Sequence, residues 1–178
     1  VGHDCVNFNY PTLLWTDFPA IESYAVTPQI LDSLNLLHLS RSLPDSRELI
    51  PQLSFALREL FAVRKTNNHL PQPKYKKGLE KNSSLYTFDV TKTVSHEICH
   101  SIPANLLPSD SADPRTYSYG HDIAELLMAA YSSKIKNRKN GAIKDVVALE
   151  NAMRNCILMY CDDEPLFTSL YAWLTDSN

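Results

Sequence analysis

His96 and His100 stand four residues apart in the run His96-Glu97-Ile98-Cys99-His100. On a helix that spacing puts both imidazoles on one face, where they can bind a single Zn²⁺ ion. Glu97, beside the first histidine, is placed to take a proton from a metal-bound water, and the resulting hydroxide can attack a scissile carbonyl. The chemistry this run points to is metal-assisted hydrolysis of a peptide bond. The pattern is short, and ordinary residue frequencies produce it by chance in roughly one in a hundred or two hundred chains of this length, so its setting has to fit as well. Cys99 points away from the face shared by the two histidines, which marks it as a structural thiol or half of a disulfide rather than a ligand.

A tetrahedral catalytic zinc takes three protein donors and leaves the fourth position open. A thermolysin-like arrangement draws the third donor from a following helix, for which Glu125 and Glu150 are available. The metzincin arrangement places a Gly and then a His or Asp soon after the second histidine. Leu106 occupies that ligand position, which excludes the class.

The segment Asp113-Pro-Arg-Thr-Tyr-Ser-Tyr119-Gly120, followed by Ala124-Glu125-Leu126-Leu127 and later by Glu150-Asn151-Ala152, resembles the fungal aspzincins, the deuterolysin and peptidyl-Lys metalloendopeptidase group. The resemblance covers residues 86 to 161. It implies a zincin fold, a GTxDxxYG motif whose Asp is the third zinc ligand, and a motif Tyr that stabilises the tetrahedral oxyanion. Tyr119 takes the place of that Tyr, with Tyr117 as its neighbour; away from the metal, both are ordinary packing residues. The motif's Asp is replaced here by Thr116, so the carboxylate must come from upstream: Asp113 is the expected ligand, being nearer to Tyr119-Gly120, with Asp110 second and His121 a third candidate. Met153 similarly replaces the Asp of the family's Asn-Ala-Asp segment.

These residues need elements to position them. Asp89 can cap a helix with Val90, Val94 and Ile98 on its apolar face, and that helix carries the two histidines. Before it, Leu85 to Phe88 alternates like a short strand. After it, residues 101 to 119 hold three prolines and no helical period, so they form an irregular crossing loop. Thr27-Pro28 starts a helix through Leu37 and His38, and a second runs from about Asp45 to Val63 with Pro51 near its first turn. Residues 64 to 84 are polar and loop-like. Ile123 to Tyr131 and Val146 to Tyr160 mark two further helices, and the tail from Pro165 to Leu174 adds a turn or two. The expected architecture is α+β, mostly α, with a small β element: one zincin-like domain over residues 1–178.

Composition agrees with a packed soluble fold. Of 178 residues, 44% are hydrophobic and 21% charged, and the net charge of −3 argues against nucleic acid or an anionic membrane as main partner. No stretch reaches the roughly 20 apolar residues of a membrane span. Four cysteines and the sequon Asn82-Ser83-Ser84 fit a secreted protein with two disulfides; the other reading is four buried thiols in the cytosol. A start at Val1 suits a mature form without its targeting segment, or a trimmed chain. The expected function is that of a secreted, monomeric zinc endopeptidase acting on peptide or protein substrates. The alternative is an inactive zincin fold that binds zinc, or a host or cell-surface partner. A third, weaker reading is a cytosolic helical protein in which the motif is accidental.

Overall fold

The computed structural model describes residues 16–66, 81–82, 85–86, 107–136, 143–160, 162 and 164–176. Within them the chain is mostly helical. Helix α1 spans Pro28–Leu37, and its start is the one expected: Thr27 accepts from the Ile30 amide through Oγ1 at 3.3 Å, and Pro28 sits at the first helical position. A tight turn follows, with Ser40 and Arg41 at positive φ. Asn35 clamps this turn in two directions, exchanging 2.9 Å hydrogen bonds with the backbone of Leu43.

Helix α2 spans Ser46–Thr66 and begins where Asp32 of α1 accepts from both the amide and the hydroxyl of Ser46, at 3.2 and 2.9 Å. It runs past Val63, because Arg64 and Lys65 are good helix formers and no Gly or Pro intervenes. Lys81–Asn82 (β1) and Leu85–Tyr86 (β2) pair antiparallel, Lys81 opposite Tyr86 and Asn82 opposite Leu85. The stretch 107 to 119 is irregular, as its prolines require, except for one 3-10 turn at Pro114–Thr116. Helix α3 spans Gly120–Lys136, and α4 spans Val146–Leu158 with Asp145 accepting from the Ala148 amide at 2.8 Å. The tail is a helix of 12 residues, α5 (Pro165–Asp176), longer than its sequence led us to expect.

The core lies where α1, α2, α3 and α4 meet a 3-10 turn at Ile21–Ala25. Leu31, Leu34, Leu53, Leu57, Ile123, Leu127, Leu149 and Ile157 are all buried in it, and each such side chain stabilises the fold by roughly 1.5–3 kcal/mol relative to exposure. Tyr24 is fully buried, edge-on to Phe18 and Phe167, with its hydroxyl donating to Asp17 at 2.8 Å. The same Asp17 accepts from the Leu166 amide at 3.0 Å, which fixes the start of α5. Beyond that start α5 is largely exposed. Among the described residues no helix is long and apolar enough to cross a membrane.

Cys156, one of the four cysteines of the expected disulfides, is a buried free thiol on α4 among the described residues. Cys5, Cys99 and Cys161 lie outside the described residues.

Candidate functional site

The run that carries the expected chemistry, His96, Glu97 and His100, lies outside the described residues, as does the capped helix expected to hold it. The other expected site residues are placed. They fall on the stretch 110 to 121 and on helices α3 and α4.

Asp113 caps the 3-10 turn: its Oδ1 accepts from the Arg115 amide at 2.9 Å. The Arg115 guanidinium folds back on the same carboxylate, with Nε at 3.1 and 2.9 Å from its two oxygens and Nη2 at 2.8 Å from Oδ2. Burial works to raise the Asp113 pKa, but the hydrogen bonds from Arg115 outweigh it and hold the carboxyl below its ordinary value. Three N–H donors of Arg115, its amide, Nε and Nη2, thus share the two oxygens of a carboxylate that offers about four lone-pair sites. A metal at Asp113 would compete with Arg115 for this carboxylate. Arg115 is itself anchored, donating to Glu164 at 2.8 Å and lying 4.5 Å from the centre of the Phe18 ring. Thr116, at the position of the family's ligand Asp, donates its hydroxyl to the Asp113 carbonyl at 2.7 Å and is committed to the turn.

Asp110 pairs with Arg58 of α2, and its side chain is 89% exposed, so of the two upstream carboxylates it is the more accessible. The two tyrosines separate clearly. Tyr117 is buried and donates to the Ser54 carbonyl at 3.4 Å, a packing role. Tyr119 is exposed, with its ring 5.7 Å from that of His121.

His121 is tied by Nδ1 to Glu150 Oε1 at 2.7 Å, and this hydrogen bond to a carboxylate raises the histidine's pKa above 6.5. Glu150, one of the two helix-borne carboxylates considered as ligands, is thus buried against His121 and near Arg154. Glu125, the other, is partly buried; burial first, then the neighbouring charges of Asp122 and Glu150, raise its pKa. Met153, at the position of the family's second Asp, is fully buried in the core.

Gly120 is glycine for a steric reason. A Cβ there would overlap Glu22 Oε2 and lie 2.9 Å from Ala20 Cβ, so α3 can start against the Ile21–Ala25 turn only without a side chain. Glu22 is held in turn by Arg154 of α4, with Nε 2.9 Å from Oε1. Glu22, Arg154, Arg58 and Arg115 carry no sequence motif. Only for Arg115 was a local signal available, since Asp113-Pro114 is the N-cap and first-position proline of a helical turn.

No three of His, Cys, Asp and Glu among the described residues converge as a metal-holding group, and His96 and His100 lie outside those residues. Two imidazoles with one carboxylate form a donor set whose chemistry suits Zn²⁺. No protein-family model matches the chain, and no curated protein and no solved structure matches it either.

Proposed function

We propose that the chain is a secreted zinc endopeptidase that hydrolyses peptide bonds in peptide or protein substrates, and that His96, His100 and a carboxylate of the Asp110–Asp113 stretch hold the metal. The observation that carries this reading is the run His96-Glu97-Ile98-Cys99-His100. When bound, zinc supplies Lewis-acid polarisation of the substrate carbonyl and lowers the pKa of water. Glu97 accepts the proton of the attacking water and returns it to the leaving amine. Tyr119, exposed at the start of α3, donates its hydroxyl to the oxyanion that develops on the carbonyl oxygen. Asp113 is the ligand that the motif order favours, and its engagement by Arg115 makes Asp110 the competing choice.

That same engagement favours a second reading, a zincin fold that binds zinc or a host or cell-surface partner without hydrolysis. Glu97→Gln separates the two. The amide keeps the shape of the site but cannot take a proton, so an enzyme should lose turnover on a broad peptide library while keeping its zinc. Equal inertness of the unmodified protein and Glu97→Gln would leave the binding reading.

A further inference from the structure

Phe167, Leu170, Tyr171 and Leu174 follow one another on α5 at spacings of three and four residues, so they form a single stripe along the helix. The stripe begins inside the fold. Phe167 is partly buried against the core, with its ring centre 5.6 Å from that of Tyr24 in an edge-on contact. The other three side chains are exposed, Tyr171 by 72% and Leu174 by 53%. From Leu166 to Thr175 the helix carries no charged residue. A helix of this composition calls for a cover, and a contiguous apolar patch marks an interaction surface.

The root of this stripe is also where the described chain begins. Asp17 accepts from the Leu166 amide at 3.0 Å, and Phe18 packs on Tyr24 with ring centres 4.8 Å apart. Residues 1–15, which lie outside the described residues, therefore join the fold through Thr16 beside the point where the stripe leaves the core. They hold one acidic residue, Asp4, and no Lys or Arg, and they end in Leu13, Leu14 and Trp15. From Phe167 to Leu174 the stripe is about 10 Å long, given the rise per residue of an α-helix. Extended chain spans that length in about three residues. Reach and composition thus point to the same three side chains.

We propose that residues 13–15 of the same chain lie along the Phe167–Leu174 stripe and cover it. Leu13 and Leu14 meet Leu170 and Tyr171, which extends outward the contact that Asp17 makes with Leu166 and that Phe18 makes, through Tyr24, with Phe167. An uncharged segment covers an uncharged face, so no charge loses its water. This assignment does not depend on the zinc reading.

The test puts p-benzoyl-L-phenylalanine, an aryl ketone that links to nearby C–H groups on irradiation, in place of Tyr171 in the full chain. Irradiation should join it to the peptide that contains Leu13, Leu14 and Trp15, at the mass of a single chain, as mapped by mass spectrometry of the digest. Leu13→Asp combined with Leu14→Asp, with the helical circular-dichroism signal retained, should cut the yield of that link roughly tenfold or more, because a carboxylate is costly to bury on an apolar stripe. Links that join two chains would give the stripe to a second copy and overturn the assignment. No link to residues 13–15 would overturn it as well. So would an unchanged yield in the double variant, which would report the tether alone.

Discussion

Glu22 in the first 3-10 turn and Arg154 on α4 meet across 132 residues of chain, with Nε 2.9 Å from Oε1. The Glu22 side chain is 6% exposed and that of Arg154 41%, so one end of the pair is desolvated and the other is wet. Removing the arginine leaves a buried carboxylate without its main donor, which costs more than loss of an exposed pair. Arg154→Ala should lower unfolding free energy by about 1–3 kcal/mol, with Arg154→Lys intermediate, read from urea denaturation. Equal stability of Arg154→Ala and the unmodified protein would mean the pair is ornamental.

Gly120→Ala should destabilise by about 1–3 kcal/mol, the cost of overpacking. The new methyl would lie 2.9 Å from the Ala20 Cβ and overlap a Glu22 side chain held by Arg154. Helix propensity alone would predict the opposite sign, because alanine is the better helix former. The sign of the change in thermal midpoint therefore decides between close packing and propensity.

The His121–Glu150 contact sets a pH dependence. The histidine's folded pKa lies above the 6.5 of the unfolded chain, so its stabilising contribution is fully present below 6.5 and is lost as pH rises through the folded value. His121→Gln should flatten that part of the stability-versus-pH curve. An NMR titration of the ring that gave a midpoint at or below 6.5 would remove the basis for this expectation.

Cys156 should react with a thiol reagent only on unfolding, since it is buried on α4 and burial pushes its thiol pKa up. Rapid labelling of this residue in native protein, mapped by mass spectrometry, would contradict its placement.

The helices were the legible part, because their signals are local. Thr27-Pro28 is a cap and first-position proline at the start of an apolar period, and the structure uses it as such; the period from Val146 likewise marks α4. The length of α5 was not legible: Thr168, Ser169 and Thr175 weaken a helical reading, and contacts from Asp17 to Leu166 and from Arg115 to Glu164, just before the helix, supply what propensity does not. Ion pairs such as Glu22–Arg154 and Arg58–Asp110 join distant parts of the chain, so no spacing announces them. Asp113 shows the reverse problem. Its nearness to Tyr119-Gly120 made it the natural choice of ligand, while the Pro-Arg that follows it gives the same carboxylate a turn to cap and a guanidinium to bind.

The central claim is a zinc site built on His96 and His100, and the most direct measurement is metal content per chain by mass spectrometry of the intact native protein. About one zinc per chain is expected, lost in His96→Ala and in His100→Ala, kept in Glu97→Gln, and bound one to two orders of magnitude more weakly in whichever of Asp113→Ala and Asp110→Ala removes the third ligand. Protein that carries no zinc and cannot be loaded with it, or that binds zinc equally well without either histidine, would contradict the claim.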